Sequence, residues 1–456
     1  MVLKTQGGVK LDKVYVITDF GPGDGGKGGI VYALSCAQDD EVNLIIKRGG
    51  AQGSHGVRTS YKESFNFSQW GCGTLEGIPT FCSEQMIISP VGLHKESEAL
   101  KRLGIADPFM LIKIDPNCIC ATPFHKISSQ LEELLLGENP RGTIGTGVGR
   151  ACRMFNEQGE QMTLRASELQ DSAIIKRKLQ RQCEYYRAKY QNVSEDLFLP
   201  EDVELAGENL SLLMDDGYLQ YCLELFVMIG KKLSFMDLHE ALAQSGTAIV
   251  ECSHGVLTDA NVGLKPHVSA IRTLPKFTNE MLRSAGYSGR IINFAVHRAY
   301  EIRHGAGPIP TYDAKFTEAM LPGSHKDTNR WQGMVRAGAL DLNLFNYALE
   351  CCKETPMDGL CLTWFDQIIK NSHIWPICVA YKNSTSANED YADYLKTKAE
   401  PEIKNHLIED GLNDADLFAF VADVLQKCTN LPLMMLSIGP TELDKISSKN
   451  IRRIWP

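Results

Sequence analysis

Asp24 and Lys27 stand three residues apart in GPGDGGKGG, Gly21 to Gly29, just after the apolar run Val14-Tyr15-Val16-Ile17. One carboxylate for proton or metal chemistry and one ammonium for phosphate charge, set among glycines at a strand-to-helix turn, suit an anion cradle lined by backbone N–H groups. Two nucleotide-binding patterns overlap here. Gly21-x-Gly23-x-x-Gly26 is the dinucleotide fingerprint, which needs an acid at the end of the second strand to hold the ribose hydroxyls. That strand, VNLIIK, ends in Lys47-Arg48-Gly49-Gly50, and the acids Asp39, Asp40 and Glu41 precede it. Gly21-x4-Gly26-Lys27 is nearly a P-loop, but Gly28 stands where a hydroxyl would reach magnesium. What remains is a phosphate cradle approached through Gly23, Gly25, Gly26, Lys27 and Gly28. The plain-turn reading leaves Asp24 and Lys27 unexplained.

Two further loops have the same character. KRGGAQGSHGV, Lys47 to Val57, sets Gln52, Ser54 and His55 among four glycines, and GTIGTGVGRA, Gly142 to Ala151, is again rich in glycine and hydroxyls. A strand-end histidine is more often structural than catalytic. Neighbouring strand ends in a parallel sheet nevertheless converge on one crevice, and three such loops fit a site that encloses several phosphates.

The elements that must position these loops read as α/β. The apolar runs VYVIT, NLIIK, QMIIS, FMLIKI, TAIVE, LCLTWF, WPICVAY and LMMLSIG alternate with helix-length segments, the signature of a largely parallel sheet. Leu205 to Ser245 reads as helices. No repeat or linker divides the 456 residues, so residues 1–456 read as a single domain, with a charged surface insertion near 385–412. A net charge of −9 and a pI near 5.7 argue against nonspecific nucleic-acid binding. The absence of a long apolar run argues against a membrane span. The N-terminus MVLKTQGGVKLDK lacks a signal peptide's apolar stretch and implies a cytoplasmic protein, in which the 14 scattered cysteines are reduced thiols.

Taken in order along nearly the whole chain, the loops resemble the adenylosuccinate synthetase family. Gly23 to Gly29 is similar to its G-D-E-G-K-G-K loop, Gly49 to Gly56 to G-G-x-N-A-G-H-T, and Gly142 to Arg150 to G-T-T-x-x-G-I-G-P. RAYEIRHGAGPIPT, Arg298 to Thr311, is close to V-G-A-G-P-F-P-T. LCLTWFD corresponds to C-L-T-K-x-D, and LSIGP to S-x-G-P. The resemblance implies a large, mostly parallel central sheet flanked by helices, of a P-loop-related fold. It implies a two-step ligation in which Asp24 takes the N1 proton of inosine monophosphate (IMP) and the 6-oxygen attacks the γ-phosphate of GTP. The amine of aspartate then displaces the phosphate. His55 would contact the phosphoryl group in transfer, and Mg2+ would be held by Asp24 and the carbonyl of Ser54.

The same resemblance assigns Gln52, Thr143, Ile144, Arg153, His254 and Ser269 to the acceptor nucleotide. It assigns Arg330 and Arg336 to the amino acid, and Trp364, Asp366, Ser437 and Gly439 to guanine. It also implies a homodimer in which Arg150, Arg153 or Arg165, with Arg153 foremost, reaches the partner's acceptor phosphate. Recognition residues depart from the family where catalytic ones do not. Gly25 replaces a glutamate and Gly29 a lysine, leaving a barer loop with room for a different substrate, and Gln52, Ile144, His254 and Trp364 replace other contacts. Three readings follow: a ligase with an altered acceptor, an ordinary adenylosuccinate synthetase, and a nucleotide-binding protein without ligase activity. Phage relatives that make 2-aminoadenylosuccinate carry serine in place of the loop aspartate, whereas this chain keeps Asp24.

Overall fold

The computed structural model describes residues 11–38, 41–243, 246–321, 323, 330–383, 385, 389–448 and 452–453. Residues 1–10, on which most of the N-terminal reading rests, lie outside them, as do 39–40, 244–245 and 386–388 of the segments discussed above.

The strands are β1 (Leu11–Asp19), β2 (Val42–Gly50), β3 (His55–Arg58), β4 (Ser64–Phe67), β5 (Thr80–Ile87), β6 (Ile112–Ile114), β7 (Gly246–Gly255), β8 (Arg290–Arg298), β9 (Tyr300–His304), β10 (Val335–Asp341), β11 (Gly359–Thr363), β12 (Ile374–Tyr381), β13 (Pro401–Leu407), β14 (Leu433–Ser437), β15 (Lys445–Ser447) and β16 (Arg452–Arg453). Ten of them form one sheet in the order β16-β15-β14-β11-β8-β1-β7-β2-β5-β6. All its pairs are parallel except β14 with β15 and β15 with β16. A smaller sheet, β13-β12-β10-β9, and the hairpin β3-β4 complete the strands.

β1 lies centrally because it is apolar on both faces. Tyr15 and Ile17 enter one core cluster while Val14 and Val16 enter another, the period-2 alternation of a strand covered on both sides. The helix Lys27–Cys36 returns over the sheet with seven of its ten residues buried. Register brings the ends level: Asp19 sits beside Gly255 of β7 and Val296 of β8. The loops after β1, β2, β7, β8, β11 and β14 therefore open on the same carboxyl edge, where parallel sheets bind ligands.

Several boundaries differ from the sequence reading. FMLIKI is a strand only over Ile112–Ile114, because Asp107 caps a single 3-10 turn that starts at Pro108 and carries Phe109 to Leu111. LCLTWF stops at Thr363, where Trp364 adopts φ 59° and starts the helix Phe365–Asn371. Leu205 onward is helical over Val203–Met214, Asp216–Gly230 and Leu238–Leu242. Within 385–412, β13 is an outer strand paired with β12 and exposed from Glu402 to Asn405, while the preceding helix Tyr391–Thr397 buries Tyr394 and Leu395. None of the 14 cysteines is in a disulfide.

Candidate active site

The loop after β1 is built around Asp19. Its buried carboxylate accepts the Gly21 N–H at 3.0 Å, the Gly25 N–H at 2.6 Å and the Lys27 ammonium at 2.7 Å. Lys27 is thus anchored by a partner eight residues earlier in the chain, and it keeps donors for phosphate. A Cβ on Gly25 would lie 2.5 Å from Asp19 Oδ1. The space that Gly25 seemed to open for another substrate is filled by this carboxylate. Gly29 is matched in the same way: a Cβ there would come within 4.0 Å of the Nζ of Lys445, which donates to the carbonyls of Gly439 and Thr441 at 2.8 and 2.7 Å. Burial pulls the Lys445 ammonium down to about 8 against the opposing pull of Asp444, Asp366 and Glu442. Charge missing from the loop is resupplied from β1 and β15.

Packing of this kind makes a sharp expectation. Gly25→Ala is expected to lose about 1–3 kcal/mol in urea unfolding, because the added methyl meets a carboxylate that three groups hold in place. Gly29→Ala, which meets only the far end of Lys445, is the control. A Gly25→Ala protein as stable as wild type would show that Asp19 does not hold the loop.

The helix Lys27–Cys36 starts at Gly26, φ 83°, with no side-chain cap, so its first-turn N–H groups remain available to an anion. Gly28 permits the second loop to close down, since a Cβ there would lie 2.5 Å from the Gly56 carbonyl. Asp24 faces this turn. It is 36% exposed, its Oδ1 accepts the Gly26 N–H at 3.0 Å, and its Oδ2 lies 3.6 Å from Arg298 Nη2. Burial raises its pKa, but Arg298, then Lys27, His55 and the Gly26 amide outweigh that and hold it near about 2. Asp24 is ionised.

His55 begins β3 and is buried, its Nδ1 2.5 Å from Glu251 Oε1. Register sets Glu251 of β7 directly beside Lys47 of β2, whose ammonium reaches the same oxygen at 2.6 Å. Burial alone would raise Glu251, yet Lys47 and His55 hold it well below the usual carboxylate range. Burial pushes His55 below the usual histidine range; the Glu251 hydrogen bond opposes this and Lys47 reinforces it. An ionised Glu251 only accepts, so the neutral ring keeps its proton on Nδ1 and turns Nε2 away from Glu251.

The other residues that the resemblance assigns to the acceptor and to the amino acid have partners within the protein. Gln52 Nε2 meets His254 Nε2 at 2.7 Å, with His254 at φ 63° and lowered to about 4 by burial, Lys27 and His55. A Cβ on Gly50 would touch both Gln52 and Val148, which opens the helix Val148–Gln158 after the third loop. Thr143 Oγ1 accepts the Gly145 N–H at 3.3 Å, Ile144 is half-buried beside it, and Ser269 Oγ accepts the Ile271 N–H at 3.1 Å. Ser54 is exposed next to His55. Arg150 and Arg153 share Glu132 at 2.9 and 2.8 Å, and Arg165 pairs with Glu160. Arg330 binds Asp202 at 2.6 Å, and Arg336 donates to the carbonyls of Gly305 and Gly307 at 2.8 and 2.7 Å. The two arginines read as amino-acid clamps are each engaged by groups of the protein itself.

Against this geometry stand the similarities to known proteins. A sequence model of the family described as adenylosuccinate synthetase matches residues 16–409. The chain belongs to the adenylosuccinate synthetase family. An adenylosuccinate synthetase of Francisella tularensis subsp. mediasiatica is 24% identical over 440 residues, 92% of this chain and 94% of that protein. One from Azotobacter vinelandii is 25% identical over 366 residues, 79% of each. The fully ligated adenylosuccinate synthetase of Plasmodium falciparum shares the fold with TM-score 0.76 at 17% identity, covering 95% of this chain and 99% of that one. The cyanophage S-2L succinoaminodeoxyadenylate synthetase, solved with dGMP and with dATP as energy donor, aligns with TM-score 0.54 at 12% identity over 96% of both chains. Members of the adenylosuccinate synthetase family are ligases of purine biosynthesis, and the sheet predicted from the resemblance is the one observed.

The residues that the resemblance assigns to guanine lie at the ends of β11 and β14. Trp364 caps the helix Phe365–Asn371, Asp366 is buried with its Oδ2 accepting from Gln367 and Lys370 at 2.7 and 2.9 Å, and Ser437 donates to the Gly439 carbonyl at 3.0 Å. For magnesium, Asp24 offers an ionised, partly exposed oxygen of the kind a hard cation takes. His55, Cys72 and Glu251 also lie within 4.8 Å of one another, but Lys47 on Glu251 opposes a cation there. Asp19, Glu251, Arg298 and Lys445 escaped the sequence reading. Among the described residues no helix is long and apolar enough to cross a membrane.

Proposed function

We propose that the chain is a GTP-dependent ligase that phosphorylates the 6-oxygen of a 6-oxopurine nucleoside monophosphate and displaces that phosphate with the amine of aspartate. The observation that supports it most is the placement of an ionised Asp24 among Arg298, Lys27 and the open helix turn, across from a tautomer-fixed His55. In this reading Asp24 takes the N1 proton of the acceptor base as the 6-oxygen attacks the γ-phosphorus. The first-turn N–H groups and Lys27 hold the donor phosphates, and His55 faces the transferring group through Nε2. Magnesium, held by Asp24 and the Ser54 carbonyl, would neutralise phosphate charge. The amine then attacks C6 and the phosphate leaves with the former 6-oxygen. Aspartate would have to draw Arg336 from the Gly305 and Gly307 carbonyls. A homodimer with Arg153 released from Glu132 to serve the neighbouring acceptor phosphate belongs to the same proposal.

Donor choice rests on Asp366, whose carboxylate accepts from guanine N1–H and N2–H but faces the unprotonated N1 of adenine. GTP is expected to be favoured over ATP by about 2–4 kcal/mol in kcat/KM, and Asp366→Asn to narrow that gap. The cyanophage S-2L enzyme was solved with dATP as an energy donor, so both nucleotides belong in the test. Purified protein with magnesium, aspartate and a panel of purine monophosphates is assayed for phosphate release and product mass. Equal use of ATP would remove the guanine assignment. Nucleotide binding without release for every acceptor would favour the non-catalytic reading.

A further inference from the structure

Arg298 closes β8 and is only 2% exposed. Its Nε–H donates to the main-chain carbonyl of Asp24, and its guanidinium lies over the Trp364 ring, 4.1 Å from the centroid. Those two contacts fix the plane of the fork. Nη1 and Nη2 then have no hydrogen-bond acceptor among the described residues, and the Asp24 Oδ2 atom stands 3.6 Å from Nη2, beyond hydrogen-bond reach. Burying a cation with unfilled donors is costly, and the two buried lysines beside the site have carboxylate partners: Lys47 has Glu251, and Lys27 has Asp19. Arg298 is held in place yet left unsatisfied, between the base on the acceptor side and the aromatic ring on the donor side.

We propose that Arg298 is a catalytic residue whose two Nη donors bind the phosphoryl group in flight. The inference rests on the phosphoryl-transfer reading above. In that step the bond from the γ-phosphorus to its bridging oxygen breaks, and the electron pair stays on the nucleoside diphosphate. A new bond forms from the acceptor 6-oxygen to phosphorus, and the N1 proton passes to Asp24. Arg298 keeps all its protons and meets the charge that spreads over the equatorial oxygens, where a planar fork outperforms a single ammonium. Its hydrogen bond to the Asp24 carbonyl ties that cation to the base, so both are positioned by one loop.

Arg298→Ala and Arg298→Lys are tested for turnover, with thermal melts to confirm folding. Both are expected to lower kcat about 10²-fold while the donor KM changes less than about 5-fold. Added guanidinium is expected to restore at least about 10-fold of the loss in Arg298→Ala and none in Asp24→Asn. Calorimetry with GDP and aluminium fluoride, magnesium and IMP reads the same role without turnover. Affinity of that mimic is expected to fall about 10²-fold in Arg298→Ala while affinity for GDP alone is kept. An active wild type with kcat unchanged in both variants overturns the role of Arg298 and spares the ligase reading. An inactive wild type overturns the ligase reading instead, and undiminished binding of the fluoride complex by Arg298→Ala then overturns the proposal for Arg298.

Discussion

Asp24→Asn is expected to lower turnover about 10³-fold while donor binding stays within about 10-fold of wild type. Asparagine preserves the shape and the oxygen that accepts the Gly26 N–H at 3.0 Å. It cannot take a proton, and it removes the negative charge that faces Arg298 at 3.6 Å. Loss of the base alone accounts for about 10²- to 10⁴-fold in enzymes that depend on proton abstraction. Phosphate repulsion in the cradle falls in this variant, so binding is not expected to suffer in proportion. Steady-state assays beside calorimetric donor binding separate the two effects. Near-normal kcat would remove Asp24 as the base, whereas a parallel loss of binding and turnover would make it a phosphate or metal anchor only.

The second large effect is on stability. Glu251→Gln removes the charge that Lys47, fully buried, depends on at 2.6 Å, and leaves an uncompensated cation in the sheet. A loss of about 3–5 kcal/mol in urea unfolding at neutral pH is expected, with part of it recovered by combining the change with Lys47→Met. The pH dependence has a definite sign. The folded pKa of Glu251 is depressed from the ordinary 4.5, so its contribution is full above that value and is lost as pH falls below it toward the folded value. Wild type is expected to lose stability steeply below about pH 4.5, and Glu251→Gln to lose less over the same range. Glutamine also permits the other tautomer of His55, so turnover is expected to fall with it. A Glu251→Gln protein within about 0.5 kcal/mol of wild type would mean that the Lys47 charge is satisfied elsewhere.

The three glycine loops and the apolar runs were legible because each carries its own local signal: a strand period, a turn, a chemical residue among glycines. Asp24 and His55 were singled out in this way. Glu251 was not, since a carboxylate inside TAIVECSHG gains meaning only when parallel register sets it beside Lys47 and within reach of His55. Asp19 and Lys445 were missed for a related reason. Each answers a glycine elsewhere, one at position 25 and one at position 29, and such compensation is a matter of space and not of spacing. For Arg330 and Arg336, charge and rough position look the same in the sequence whether a guanidinium is free or held, as these two are by Asp202 and by main-chain carbonyls. Arg298 stood at the head of RAYEIRHGAGPIPT without a role until its empty Nη donors were seen against Asp24.

The most direct test of the ligase account follows the oxygen. IMP labelled with 18O at the 6-position is incubated with the protein, GTP, magnesium and aspartate, and the released phosphate is weighed by mass spectrometry. Attack by the 6-oxygen and displacement by the amine deliver one 18O atom into each phosphate while the purine gains the amino acid. Phosphate released without the label, or GTP cleaved with the purine unchanged, would contradict the account.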